Sequence, residues 1–358
     1  MSFKFITTTL LLSSIAVCTL AQDAMYEKDT TAKEIKTTKI SLSESKRDIS
    51  SFSTHPIGKI QVVQYLWDSS HIGYAQKGMM NSMVVAIPDT DATAFLQNHI
   101  DKAYGHFYQP GGAQILLVVE ALRIAERTGG MSEKAYIHFK GTSYGSLDGV
   151  NYRELAAANI ARSNGGMDVT HKHKTNIANA LQELIDSTVA HMDGMASSNA
   201  LSLSRQGILA IYDAKRNIPA LKDSLKEGVY LTFADFRENK PAVTDFEFKK
   251  EKRKIFVVDK SGNHIECWGA VKEGQLFKNM GYTVMPLSKN QDGYILTKYL
   301  DNAKKRNAGI IWSTIGGGAI AGAVVMGTVQ LVTADAFPQL TPMPAGTAID
   351  METGALIF

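Results

Sequence analysis

Several clusters and single residues have types and spacing that could do chemistry, and each is weighed by the neighbours that chemistry requires. Gly141-Thr-Ser143-Tyr-Gly145 is a literal G-x-S-x-G. In a nucleophile elbow that serine stands on a strained turn between a strand and a helix, and a histidine and an acid come later in the chain. A strand-like run precedes Ser143, but Gly145-Ser-Leu-Asp-Gly149 turns the chain into another strand. The spacing therefore predicts a hairpin residue, with a serine hydrolase using Ser143 as the alternative. His171-Lys-His173 would put two imidazoles on one face of an extended segment, which is too few for a metal without a Cys, Asp or Glu cluster to complete the set. A solvated stretch before a helix is expected there. His99 falls on an apolar helical stripe and reads as a half-buried histidine, and Cys267 beside Trp268 reads as a buried, inert thiol. Tyr230, Phe233 and Phe236 at three-residue spacing read as core packing. The run from Lys249 to Lys254, diluted by Glu251, reads as a solvated hairpin turn, with an anionic headgroup or cell-wall contact as second reading. No residue is assigned a catalytic, cofactor-binding or metal-ligating role.

Composition removes other classes. The 38 Lys and Arg against 35 Asp and Glu leave +3 over 358 residues, too dilute to neutralise a run of phosphates, so nucleic acid is not an expected partner. The two cysteines, Cys18 and Cys267, supply neither a disulfide framework nor a cysteine-rich zinc site. A hydrophobic share of 44% suits folded domains, and the length suggests two of them with appendages.

Both ends of the chain carry apolar segments. Residues 1–21 hold one cation, Lys4, an apolar core from Ile6 to Val17, and the small-residue site Thr19-Leu-Ala21, the pattern of a cleaved secretory signal peptide. A lipidated Cys18 is the competing reading. Residues 22–56 are polar and lack apolar periodicity, as expected of a flexible tether. Ala308 to Ala334 is 27 residues without a charge, long enough to cross a bilayer core as a helix. Small residues recur at four-residue spacing, as Gly309, Ser313, Gly317 and Ala321, a stripe on which two helices can approach closely. The flanks conflict with a stop-transfer helix. Residues 335–358 would then lie inside, yet they carry Asp335, Asp350 and Glu352 and no cation, whereas Lys298, Lys304, Lys305 and Arg306 precede the segment. An inserted helix, a helical hairpin packed on its own body or a partner, and an oligomerising glycine zipper all stay open. The fingerprint-like Gly316-x-Gly318-x-x-Ala321 has only 37 residues after it, too few for a dinucleotide-binding domain.

Periodicity gives the scaffold for these residues. Lys59–Leu66 and Met83–Ile87 read as strands. Asp89–Tyr104 reads as a helix, with Ala92, Phe95, Leu96, His99, Ile100, Ala103 and Tyr104 on one stripe behind the capping candidates Asp89, Thr90 and Asp91. Strands at Gln114–Arg127, Ala135–Gly141 and Tyr152–Ala161, then a helix at Thr175–His191, complete an α+β domain over 57–192 with a mixed or antiparallel sheet and two helices on one face. Residues 193–227 read as a hinge with some helical character. Residues 228–300 read as a β-meander, with a capping box at Thr232 and Asp235, then the apolar segment 308–334 and a tail, 335–358.

Gly228-Val-Tyr-x-Thr-Phe-x-Asp-Phe-x-x-Asn-Lys-Pro241, Cys267-Trp-Gly269 with Glu273-Gly274, and the closing Asp350-Met-Glu-Thr-Gly354 together resemble exported Bacteroidota proteins of unknown function, across roughly residues 225–358. In element order the first domain is similar to the periplasmic α+β modules of ABC-transporter auxiliary proteins. The resemblance implies an envelope location, in the periplasm or at the outer membrane, and no activity. The expectation is a non-enzymatic, exported binding or scaffolding protein. It would self-associate, or meet another envelope protein or membrane lipid, through Gly309, Ser313, Gly317 and Ala321.

Overall fold

In a computed structural model the described residues are 36–42, 45–78, 82–129, 132–195, 201–252, 254–296 and 332–358. The leader 1–21 with Cys18, the tether up to residue 35, and the apolar segment up to residue 331 with Gly309, Ser313, Gly317 and Ala321 lie outside them.

The fold is α+β. Its first sheet is built from β1 (Thr37–Ile40), β2 (Ile57–Gln64), β3 (Gly73–Lys77), β4 (Ser82–Pro88), β5 (Ala113–Gly129), β6 (Ser132–Ser146) and β7 (Arg153–Gly166). The strand order is β1-β4-β3-β5-β6-β7, with β2 also beside β5. Pairing is mixed: β2 and β3 run parallel to β5, β1 runs parallel to β4, and β3-β4, β5-β6 and β6-β7 are antiparallel. Helices α1 (Ala92–Tyr104) and α2 (Lys172–His191) cover one face. Asp91 caps α1 by accepting from the Thr93 and Ala94 amides at 3.1 and 3.0 Å. The seven stripe residues expected to face the core are the buried ones. Strand β5 is buried almost without alternation, because both faces of the sheet are covered.

The described residues 37–42 and 45–56 are not a tether. β1 joins the sheet, the Arg47 amide donates to the Ala103 carbonyl at 3.0 Å, and Ser50 and Thr54 donate to the Asp186 and Asp193 carboxylates of the α2 region. Ile40 enters the core with Leu42 and Ile49 packed against it, and the rest of the stretch is held by hydrogen bonds, which leave no periodic signature in a sequence. The hinge is likewise replaced by a brace. Helix α3 (Arg205–Lys215) lays Ile208 and Tyr212 against Leu116, Val118, Tyr144 and Tyr152 on the sheet's second face, and α4 (Pro219–Lys222) puts Ala220 and Leu221 into the second core.

The second sheet combines β8 (Gly228–Tyr230), β11 (Gly269–Lys272), β12 (Gln275–Asn279), β13 (Val284–Asn290), β14 (Gly293–Ile295), β15 (Ala348–Ile349) and β16 (Leu356–Ile357). The meander expected from the turn signals is present as β11 to β14. Strands β9 (Glu247–Glu251) and β10 (Lys254–Val258) pair with each other, with one further bridge from Val258 to His264, which puts the basic run in a hairpin. His264–Gly269 is mostly not strand, and pairing with β12 begins at Gly269. The tail is the larger correction: β15 pairs β14 and β16, and Met351 and Phe358 are fully buried.

The three distant motifs of the second half meet at one place. Helix α5 (Phe233–Arg237) begins in the expected capping box of Thr232 and Asp235. Phe236 then stacks on Trp268 at 4.5 Å and meets Tyr230 and Tyr294 edge-on at 5.5 Å each. Trp268 donates its indole N–H to the Gly354 carbonyl at 3.3 Å. Gly354 has φ +76°, and a Cβ there would stand 2.4 Å from the Phe233 ring. Asn239, buried at φ +52°, ends α5 and accepts from the Lys226 amide and the Tyr230 hydroxyl at 2.9 Å each. The Phe and Asn-Lys-Pro block is therefore an architectural lock.

Candidate functional site

A cavity of about 350 Å³ lies between the second face of the first sheet, beyond the part that α3 covers, and the returning C-terminal segment. Its floor is shaped by an irregularity in β5. Val119 pairs with Gly141, but Ala121 pairs with Lys140, so Glu120 is an extra residue and the side-chain parity inverts. Before the bulge Ile115, Leu117 and Val119 face the helices, and after it Leu122 and Ile124 do. Glu120 and Arg123, which strict alternation would send to opposite faces, both reach the cavity with His138, Lys140 and Asn159.

A chain of charges crosses this floor. Lys215 of α3 donates to Glu120 at 2.8 Å, Lys140 lies 3.5 Å from the same Glu120 oxygen, and Lys140 donates to Glu352 at 2.7 Å. Four elements, α3, β5, β6 and the turn before β16, are joined by it. Burial opposes the Lys140 ammonium, but the hydrogen bond to Glu352 and the nearby Glu120 outweigh it and raise its pKa. Burial pulls Arg123 down from the usual guanidinium range, and its side chain donates to the Phe358 main-chain oxygen and to the Thr347 hydroxyl. His138 is held below the ordinary histidine range, first by burial, against a hydrogen bond with Asn159 at 3.0 Å that favours its charged form. Its Nδ1 is buried without a hydrogen-bond partner among the described residues, and its ring packs 4.8 Å from Phe337.

Two carboxylate–histidine pairs invite comparison with catalytic dyads. Asp68 accepts from His71 Nδ1 at 2.8 Å; burial raises the Asp68 carboxyl, but the hydrogen bonds from His71 and Ser70 outweigh it and hold its pKa down. Glu126 lies 2.8 Å from His173 Nε2, with both side chains enclosed. In each pair the far ring nitrogen is buried and has no hydrogen-bond partner among the described residues, so no described Ser, Thr or Cys nucleophile stands against it.

The residues singled out from the sequence stay apart. Ser143 lies inside β6, fully buried, where it accepts from the Ala156 amide at 3.1 Å and from the Thr188 hydroxyl at 2.7 Å. The chain continues from Gly145 through a turn into β7, with no helix. That turn is tied by Asp148, whose carboxylate accepts from the Val150 and Asn151 amides. His173 corrects the solvated reading: it sits in the first turn of α2, fully buried, while His171 is exposed. Among the described residues no group of three or more His, Cys, Asp or Glu is placed to hold a metal ion. Cys267 is half-buried, and burial pushes its pKa to about 11, which disfavours the thiolate. The cavity residues Glu120, Arg123, Lys140 and Glu352 escaped sequence reading. A signal was present, because Glu120, Arg123 and Glu126 interrupt an otherwise apolar strand, and buried charges require partners.

No family model matches the chain, and no curated protein is similar enough to match. Among solved structures, the chain is similar to the crystal structure of protein XCC0632 from Xanthomonas campestris, of family DUF330. The identity is 14%, over 46% of this chain and all of the other, with a TM-score of 0.27, too low to transfer a fold or an activity.

Proposed function

We propose that this protein is an exported, non-enzymatic binding module of the cell envelope, and that what it binds is held in the cavity between its two modules. The observation that carries this reading is the cavity itself: Arg123, His138 and Lys140 reach it from the first module, Asp350 and Glu352 from the second. Apolar walls with a few converging polar groups are the usual make-up of a ligand pocket. The envelope location rests on the leader pattern of residues 1–21 and on the resemblance to exported Bacteroidota proteins. Hydrolysis at Ser143 gains no support, since that hydroxyl is enclosed by Ala156 and Thr188.

Native mass spectrometry of the full chain purified from its own envelope fraction tests this. A bound species is expected on the wild-type protein and not on Ala355→Trp, which fills the cavity, with both proteins folded by circular dichroism. The same species on both, or none on either, overturns the assignment to the cavity. Recovery of the protein from the cytoplasmic fraction with its leader intact overturns the location.

A further inference from the structure

The edge of a sheet exposes unpaired N–H and C=O groups, which proteins cover or keep short. Both devices are used here. Gln97 of α1 covers the outer edge of β2, where it accepts from the Val62 amide at 2.8 Å and donates to the Ile60 carbonyl at 3.0 Å. The edge strands β1, β8 and β16 have only four, three and two residues. Strand β7 departs from this pattern. It runs 14 residues at the end of the first sheet and contains neither Lys nor Pro to blunt its edge. Described residues close on it at its two ends. Tyr152 exchanges hydrogen bonds with Leu203 at 2.8 and 2.9 Å just before the strand, and Lys172 donates to the Gly165 carbonyl near its finish. Between these points residues 157–164 pair with β6 on one side and, among the described residues, with no strand on the other.

We propose that residues 157–164 of β7 pair with the same residues of a second copy of this chain, antiparallel about a two-fold axis, so that the first sheet continues across a dimer. Charge selects the direction. Arg162 is the one charged residue in this stretch, and parallel in-register pairing would set it beside its own copy. Antiparallel pairing centred on Ile160 or Ala161 keeps the two faces of the sheet continuous and sets Arg162 opposite Ala158 or Ile160. The apolar side chains beside the edge select the partner. Met167, just past the strand, is 91% exposed, and Leu201, two residues before the Leu203 that pairs with Tyr152, is 83% exposed. Within one copy they stand at opposite ends of the open stretch. Only antiparallel pairing brings Met167 of each copy to Leu201 of the other, and the two-fold axis then buries both pairs at once. A second copy therefore supplies the missing strand together with the apolar contact that each end lacks.

Two measurements on the full chain test this. Sedimentation equilibrium of the wild type is expected to show a monomer–dimer equilibrium. Ala157→Lys combined with Met167→Lys, both at exposed positions, is expected to raise the dissociation constant at least tenfold and leave the melting temperature of the monomer unchanged. A wild-type chain that stays monomeric, or a dimer that the two lysines leave undiminished, overturns the proposal. The second measurement reads direction independently of affinity, with single cysteines in a background lacking Cys18 and Cys267 and a short bis-maleimide as cross-linker. A mixture of Met167→Cys and Leu201→Cys chains is expected to give a cross-linked heterodimer, and neither chain alone a cross-linked product. Cross-linking of Met167→Cys to itself, or none in the mixture, overturns the antiparallel pairing. The inference is independent of the cavity: Ala355→Trp should dimerise like the wild type even if it loses its ligand.

Discussion

The two sheets solve the problem of closing a core in opposite ways. In the first, β5, β6 and β7 succeed one another through short turns, and the α2 helix that covers them comes next, so most of the core is assembled from adjacent chain. In the second, β14 receives its neighbour β15 only after the chain has passed through more than fifty residues, and the aromatic cluster of Tyr230, Phe236, Trp268 and Tyr294 is sealed by the turn at Gly354. Hairpins close at small entropic cost, whereas the second sheet depends on one long closure that its own edge must reward. The first module should therefore tolerate loss of an edge, and the second should not tolerate loss of its end.

Deleting residues 345–358 breaks that comparison if the second module still unfolds cooperatively in near-ultraviolet circular dichroism. The expected outcome is its complete loss, since β15, β16, Met351 and Phe358 go together, a cost beyond about 5 kcal/mol. Phe236→Ala should cost about 4 kcal/mol by chemical denaturation, the range for truncating an enclosed aromatic ring, because Phe236 joins four other rings. In the first module the sharpest response is expected at Glu126→Ala, at about 3 kcal/mol. That change strips an acceptor from both His173 and the Gln76 amide inside the helix-covered core. Lys140→Met should cost only about 1 kcal/mol, since Glu120 keeps Lys215 and Glu352 is about one-third exposed.

The smallest effect is on pH dependence. His138 has a folded-state pKa below its unfolded value near 6.5, so the unfolded chain takes up the proton first. Its contribution should be constant at neutral and alkaline pH and be lost as pH falls below about 6.5. The groups acting on it are Asn159 and Asp350, which favour the charged form, and Arg123 and Lys140, which oppose it. The melting temperature of His138→Gln should therefore fall less steeply than the wild type's between about pH 6.5 and 5. Parallel curves would show that the ring does not titrate on unfolding.

Legibility in the sequence tracked the range of the interaction. The stripe of α1, its Asp91 cap and the Thr232–Asp235 capping box are written within a few residues, and each was readable. The turn at Asp148-Gly149 and the fate of Ser143 as a sheet residue were readable for the same reason. The strand β1 and the polar segment after it were missed, because backbone pairing and Ser or Thr contacts to Asp186 and Asp193 carry no periodicity. The candidate site was almost wholly hidden. One inserted residue at Glu120 decides which face Arg123 occupies, and a bulge cannot be told from a regular strand by counting.

Short-range patterns in the chain were enough to settle the class of the first module, the helical stripes, and the caps and turns, because these depend on neighbours three or four residues away. It took the assembled fold to bring Ala348–Ile349 and Leu356–Ile357 into the second sheet and to bring Glu120, Arg123, Lys140 and Glu352 to one cavity. Those outcomes depend on which distant strands meet and in which register, a choice made by the burial of whole faces and encoded in no single stretch of chain.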